Sequence, residues 1–410
     1  MPRLKNGHVP QLLATEYASY NKEVIHDLCS ELAKAERSQS RPVVLYDPMA
    51  GTAPLLSFAE RHGYTAHFND LNSLHLYVNA AKTLQSYLTY KKIGPARLLS
   101  IICGMASRLD LCPRTATEKW IEGPVLEELA FAWKKSEEQS KTITVLIKAI
   151  VLLSVRSFSS FIKTTNPTWL KSGGLRPKIP VQEAFQAAIS RLDSFYQHAY
   201  AKHSEIKGGR IVLTDYDSSR LVPDSKVDVI ITSPPFCNRV DWDRMYAPEH
   251  FFLKAVDVWH TRTEFLGTTA VHRYPEFDSE LEFVVGRSGY LRKFLGEVRK
   301  RQIGKNQESD YYVKYFTRYF AGLFRAFDTA ANALGEENAG IYFVVQENHH
   351  RGLRITIGQA LAESLCDQGF QVRPLDGSSW DRPHLGLRNV SKRYRLISPM
   401  QQESIWHAMR

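Results

Sequence analysis

Cysteine is scarce. The 410 residues hold five, Cys29, Cys103, Cys112, Cys237 and Cys366, an odd number spread along the chain. No CxxC pair or Cys/His cluster has zinc-site spacing, which argues against a disulfide framework and against a structural zinc. Long apolar runs are missing too. The most apolar stretch, Thr144–Val155, is short and carries Lys148, so it suits a buried helix rather than a membrane span. The opening MPRLKNGHVPQ lacks the apolar centre of a signal peptide. These absences predict a soluble, reduced, intracellular chain. Acidic excess is also lacking: 53 Lys and Arg stand against 43 Asp and Glu, for a formal charge of +10. That balance fits a polyanionic partner, nucleic acid before membrane, or simply a basic soluble protein. Hydrophobic residues at 43% and aromatics at 11% exclude a disordered chain. The length allows two or three domains around a large core, and no repeat of solenoid period is present.

The first strand is expected at Pro42–Tyr46, an apolar run that suits burial on both faces. The loop Asp47-Pro48-Met49-Ala50-Gly51-Thr52 follows, then a helix at Ala53–His62 closed by Gly63, and a strand at Thr65–Asn69 ending at Asp70. Strand, glycine loop, helix, strand and terminal acid form the opening of a nucleotide-binding α/β sheet. A helix is expected from Ser73 to about Leu88. Helical periodicity dominates 91–207, at Val125–Ser136, Thr142–Phe158 and Val181–Tyr200, broken by the Pro/Gly/Lys-rich loop Lys163–Pro180. Strands resume at Arg210–Thr214 and Val227–Thr232, with a helix at Tyr246–Val256. The stretch Asp257–Asp310 reads as irregular. After it come a helix at Tyr311–Ala333, a strand at Gly340–Gln346, a helix at Ile355–Gln368, and strands at Phe370–Pro374 and Tyr394–Ile397. The expectation is an α/β fold with a mostly parallel sheet from 1–90, 208–256 and 311–410. A helical insertion at 91–207 and a smaller insertion at 257–310 would interrupt it.

Two constellations carry chemistry. In the first, Gly51 lets the backbone approach a ligand, and the loop leads into polarised helix amides. One glycine is weak evidence where a dinucleotide loop has three. Its companion Asp70, nineteen residues on and followed by Leu71, could accept hydrogen bonds from both ribose hydroxyls of an adenosyl ligand, or merely cap the next helix. In the second, Val227–Phe236 reads VDVIITSPPF. The consecutive prolines have fixed φ and no N–H, so the Ser233 and Pro234 carbonyls project as acceptors. The amino group of a planar base could donate to them and to Ser233 Oγ while Phe236 stacks on its face. The plainer reading is a proline-stiffened turn.

Together these loops resemble those of the AdoMet-dependent amino-methyltransferases of DNA, in which a DPxxG loop and a (D/N/S)PP(Y/F) loop form the two halves of the site. The string Thr232-Ser233-Pro234-Pro235-Phe236 is most similar to the cytosine-N4 enzymes. The resemblance implies a Rossmann-like methyltransferase sheet with AdoMet as cofactor. By it, Asp47 to Thr52 would hold the methionine part and Asp70 with Leu71 the ribose. An acid of Thr214-Asp215-Tyr216-Asp217 would lie near the adenine, with Asp217 favoured over Asp215 by spacing. Ser233, Pro234, Pro235 and Phe236 would hold the target base. The implied partner is double-stranded DNA, with a cognate restriction or defence nuclease as a further candidate, no membrane, a monomer or homodimer, and a cytoplasmic, nucleoid-associated location. Phe236 departs from the commoner tyrosine, and the long gap before Asp217 needs an insertion.

DNA-contact candidates are Trp169, Lys171 and Arg176 on a glycine-hinged loop, Arg239 and Arg244 after the catalytic loop, and Arg299, Lys300, Arg301 and Lys305. Each also reads as a solvated surface run. His349-His350 is poor metal evidence. Cys237 follows the loop, but Phe236 separates it from Pro235 and no Glu-Asn-Val companion appears, so attack by a thiolate on a cytosine ring is disfavoured. Methylation of adenine-N6 is the main alternative. RNA methylation and an AdoMet-sensing nucleic-acid-binding protein are lesser ones.

Overall fold

The computed structural model describes residues 22–37, 41–106, 120–163, 170–174, 178–201, 203, 205–220, 222–235, 237, 242–256, 258, 265–268, 271, 274–301, 308–335, 339–350, 352–383 and 400–410. Cys112, Trp169, Arg176, Phe236, Arg239, Lys305 and the strand expected at 394–397 lie outside them.

The first part of the chain runs α1 (Lys22–Arg37), β1 (Val44–Asp47), α2 (Leu56–His62), β2 (Thr65–Asn69) and α3 (Ser73–Ala81). A helical stretch follows: α4 (Leu84–Ile93), α5 (Pro95–Ala106), α6 (Gly123–Lys135), α7 (Lys141–Phe158), the hairpin β3 (Phe161–Lys163) and β4 (Leu170–Ser172), and α8 (Val181–Tyr196). Sheet strands return with β5 (Arg210–Thr214) and β6 (Val229–Thr232), then α9 (Trp242–Met245) and α10 (Ala247–Ala255). The last part holds α11 (Phe277–Arg287), α12 (Gly289–Lys300), α13 (Glu308–Ala333), β7 (Gly340–Gln346), the hairpin β8 (Asn348–His350) and β9 (Leu353–Ile355), α14 (Ile357–Cys366), β10 (Gln371–Pro383) and β11 (Met400–Met409).

Seven strands make one sheet in the order β10-β11-β7-β6-β1-β2-β5. All neighbours pair parallel except β11, which runs antiparallel to both β7 and β10. Every residue of β6 and of β7 is buried, which is why both read as unbroken apolar runs rather than alternating ones. The chain leaves β1 toward β2 and β5, then resumes on the opposite side of β1 with β6. That reversal is the switch point at which open α/β sheets bind ligands beyond their strand carboxyl ends. The reversed β11 distinguishes this sheet from the 3-2-1-4-5-6 dinucleotide-binding order.

One face of the sheet packs on α1 and α2 through Leu28, Leu32, Leu45, Ala59, Phe68, Ile231 and Val344. The other packs on α12, α13 and α14 through Ile230, Phe343, Phe294, Phe320 and Leu361. The helices of 84–201 share a third core with α3 and α10, including Leu74, Val78, Trp133, Ile150, Leu192 and Phe252. The boundary expected at residue 90 therefore cuts through a continuous helical body. Among the described residues no helix is long and apolar enough to cross a membrane; Thr144–Val155 lies within α7, which buries Ile147, Ile150 and Val151.

Some local expectations change. The helix expected from Ser73 to Leu88 is two, because the Thr83 side chain caps α4 at Ser86 N and the Glu60 carboxylate takes Leu84 N at 2.9 and 3.0 Å. The stretch 257–310 is not irregular throughout, since it carries α11 and α12. Gly286, Gly289 and Gly296 depress its local helix propensity, but Leu291, Phe294, Leu295 and Val298 bury together and tertiary packing prevails. The loop Lys163–Pro180 contributes to a short hairpin, with Lys163 opposite Leu170. The last described strand is β11.

Candidate functional site

The loop after β1 is wired to its neighbours. Asp47 is 1% exposed and ends β1. Its Oδ1 takes Met49 N at 3.2 Å, while Oδ2 has no hydrogen-bond partner. Burial pushes its carboxyl up to about 8, against the lowering effects of the Thr232 hydroxyl and Met49 N and with the nearby Asp70 charge adding to the rise. Thr232 lies on the adjacent strand β6 and its Oγ1 is likewise buried without a partner at bonding geometry, so its effect on Asp47 is that of a nearby hydroxyl rather than of a closed hydrogen bond. Ala50 N donates to Asn69 O at 2.8 Å, and Gly51 turns with φ +52°, the left-handed region that glycine enters freely.

Asp70 does not cap α3; Asn72 does, through Leu74 N. Asp70 instead closes the glycine loop. Its Oδ2 takes Gly51 N at 2.8 Å and its Oδ1 takes Asn72 N at 2.9 Å. His75 Nδ1 stands 3.2 Å from Oδ1, an ion pair when the ring is protonated. Burial opposes ionisation, but the His75 ring and the two amides hold the Asp70 carboxyl below its ordinary range. Leu71 beside it is half-buried.

Several supports escaped the sequence reading. Buried Asn69 donates Nδ2 to Pro48 O at 3.1 Å and to Tyr216 O at 2.9 Å, and its Oδ1 takes Tyr216 N at 3.0 Å. It thus ties the loop after β1 to the loop after β5. An amide at the carboxyl end of the strand, next to the buried Phe68, was the available signal. Asn79 Nδ2 donates to Gly51 O at 2.8 Å, and Lys82 Nζ donates to Thr52 O. Of the two acids after β5, Asp215 takes Ser73 Oγ at 2.9 Å at the start of α3. Asp217 is occupied by its own turn, accepting Ser219 N at 2.9 Å and Ser219 Oγ at 2.8 Å. The structure therefore ties Asp215, rather than Asp217, to the helix that follows Asp70.

Across the switch point, Ser233 is half-buried and Pro234 buried at the carboxyl end of β6. Tyr319 of α13, 1% exposed, donates its hydroxyl to Pro235 O at 2.6 Å and pins the loop. Cys237 is buried in the core on the α13 face, and burial raises its thiol well above the usual range. It is a packing residue here, unsuited to act as a thiolate.

Buried polar atoms without hydrogen-bond partners concentrate at this edge. They include Asp47 Oδ2, Thr232 Oγ1, Asn72 Nδ2, His75 Nε2, Asn79 Oδ1, both polar atoms of the Gln346 amide, and Asn348 Oδ1. Leaving such groups unmet costs about 1–3 kcal/mol each, and they lie at the carboxyl edge where open α/β sheets take ligands.

The basic candidates divide. Lys171 is exposed on β4, which lies beside α9 and its half-buried Arg244. Arg299 and Lys300 end α12, where cations suit the helix dipole, and Lys300 pairs with Glu297 at 3.0 Å. That run, with the exposed Arg301 after it, has a local structural explanation. His350 packs on Tyr312 and Phe316 with ring centroids 4.2 and 5.3 Å apart. No group of metal-ligating side chains occurs among the described residues. No family model matches the sequence, and no curated protein is similar to it at a significant level.

Proposed function

We propose that the chain is an AdoMet-dependent methyltransferase acting on an exocyclic amine of a base flipped out of DNA, with cytosine-N4 as the acceptor. The observation that carries the reading is the pairing of the Asp47–Thr52 and Ser233–Pro235 loops across one switch point, among buried polar atoms that lack partners. An orphaned carboxylate oxygen on Asp47 fits a ligand bringing N–H donors and positive charge, as the methionine part of AdoMet does. Asp70, held ionised and aimed by Gly51, Asn72 and His75, retains lone pairs for ribose hydroxyls.

Bound AdoMet would supply an electrophilic methyl group. The protein's task is to make a poor nucleophile reactive, because the amine lone pair is delocalised into the ring. The Pro235 carbonyl is engaged by Tyr319, so the accepting atoms are Ser233 Oγ and the Pro234 carbonyl. Accepting hydrogen bonds from both amine N–H groups draws the nitrogen toward tetrahedral geometry and aims its lone pair, a matter of alignment and electrostatics. Flipping the base costs roughly a few kcal/mol. Adenine-N6 presents the same amine, and the product distinguishes the two.

The test is transfer of labelled methyl from AdoMet to duplex DNA, followed by nucleoside mass analysis. Label is expected in N4-methylcytosine, with the rate falling about 10²-fold or more in Ser233→Ala and binding lost in Asp47→Ala. Label in N6-methyladenine would move the reading to adenine. Absence of label on any DNA would overturn it.

Asp47 also sets a pH dependence. Its carboxyl is near 8 in the fold against 3.8 ordinarily. The folded chain thus keeps a proton that the unfolded chain has lost, and stability falls as pH rises from about 4 toward 8. Urea unfolding at pH 5 and pH 8 is expected to show this fall, with Asp47→Asn flattening it. Cofactor affinity should run the other way, rising with pH up to about 8, because a cationic ligand favours the ionised carboxylate. Equal slopes in wild type and Asp47→Asn would assign the effect to another group.

A further inference from the structure

The orphaned amide of Gln346 has no role in the site as described so far. It is 3% exposed, yet neither Nε2 nor Oε1 has a hydrogen-bond partner. Its position follows from the register. Thr232 of β6 pairs with Phe343 of β7 in parallel, so Gln346 lies three residues, about 10 Å, further toward the carboxyl edge, past the last paired residue of β6, with the buried Glu403 of β11 opposite it on its other side. Its face follows from strand alternation. Leu45 and Val344 both pack in the core under α1 and α2, and Asp47 and Gln346 each lie two residues beyond them. Both side chains therefore leave the sheet on the same face. Asn348 holds the turn by donating Nδ2 to Gln346 O at 2.9 Å.

The strand order then assigns the work. The proposed cofactor loops follow β1, β2 and β5, and the amine-binding loop follows β6. An acceptor whose amine sits at Ser233 and Pro234 must extend its ring away from the cofactor, over β7. One strand spacing, about 5 Å, is comparable to the width of a pyrimidine. We infer that Gln346 reads the ring edge of the flipped base, its amide N–H donating to cytosine N3. This rests on the methyltransferase reading and adds a specificity-determining contact to it. A donor fixed there gives Nε2 a partner and rejects a base lacking the acceptor, because the buried N–H would stay unpaired.

The test uses the full-length protein and a duplex oligonucleotide containing a site that wild type methylates, with cytosine or 3-deazacytosine at the target. Gln346→Leu and the nearly isosteric Gln346→Glu are compared with wild type, and AdoMet titration and thermal melting check that the cofactor half is intact. Loss of N3 is expected to lower kcat/KM of wild type about 30-fold or more but that of Gln346→Leu less than about threefold, because the contact is already gone. On cytosine, both variants should lose about 10-fold or more, with AdoMet affinity within about threefold of wild type. An equal 3-deazacytosine penalty in wild type and variants overturns the inference while leaving the methyltransferase reading standing. If Gln346→Leu does not fold, the same comparison in Gln346→Glu decides. A wild type that methylates no cytosine overturns both.

Discussion

Asp70→Ala is expected to weaken AdoMet binding by about 10²-fold or more, the equivalent of losing two hydrogen bonds to an ionised acceptor at about 1.5–3 kcal/mol each. The effect is large because the carboxylate serves two structures at once. It would receive the ribose hydroxyls, and it already takes Gly51 N at 2.8 Å and Asn72 N at 2.9 Å. Alanine leaves both amides and the His75 ring without their acceptor, so the glycine loop loses its closure as well. Asp70→Asn keeps the shape and one oxygen and should cost nearer 10-fold. The pH behaviour of Asp70 is opposite to that of Asp47. A carboxyl held below its ordinary value contributes stability that persists at neutral pH and is lost only as pH falls through the acid range. Calorimetric titration of AdoMet into each variant checks the prediction, and binding of Asp70→Ala within threefold of wild type would place the nucleoside elsewhere.

Arg156→Met is expected to destabilise the protein by about 3–5 kcal/mol, the usual cost of stranding one member of a buried ion pair. Arg156 of α7 makes two bonds to Glu249 of α10, 2.6 and 2.7 Å, and a third to Met245 O at 2.9 Å. The Glu249 side chain is 4% exposed and the Arg156 side chain 13%, so removing the guanidinium takes both hydrogen bonds from a carboxylate that water cannot reach and leaves it only the electrostatic pull of Arg191. The double variant Arg156→Met with Glu249→Leu should recover most of the loss, since apolar replacement of a buried pair is often neutral. Urea unfolding of the two single variants and the double closes the cycle. The damage should also reach the site. Helix α10 carries His250, whose Nε2 lies 3.0 Å from Asn72 Oδ1, and it follows Tyr246, which meets the His75 ring edge-on at 5.8 Å between centroids. A loss below about 1 kcal/mol in Arg156→Met would mean that water or another group takes over the pairing.

The helical body bears on the loop after β1 through contacts of this kind. Tyr196 and Tyr200, at and just beyond the end of α8, donate to Ala81 O and Lys82 O, and Lys82 in turn donates to Thr52 O. A segment that reads in sequence as an insertion therefore supports the loop after β1 through the junction between α3 and α4.

The sequence by itself determined the strands that are buried on both faces. Among these, Gly340–Gln346 is buried throughout and appears with the bounds that its apolar run implies; Thr65–Asn69 and Arg210–Thr214 also keep their expected bounds, although the first is only partly buried and the second not buried at any position. It also marked which loops follow β1 and β6, since Gly51 and the double proline narrow the local backbone choices, although Asp70 and Tyr319 complete the two loops from a distance. The turn at Gly63, φ +76°, is legible for the same reason. What only the tertiary structure decided was every partner far away in the chain. Tyr319 reaches Pro235 across 84 residues, Lys82 reaches Thr52 across 30, and Asn69 reaches Tyr216 across 147. No local pattern encodes such pairs. The helices α11 and α12 were hidden because their glycines depress propensity and a shared core restores it. The Asp70 carboxylate turned from a possible helix cap into the clasp of the glycine loop once Asn72 took the cap. The carboxyl edge that Gln346 shares with the loop after β6 exists only because β7 pairs beside β6, a register that long-range packing sets and local sequence does not.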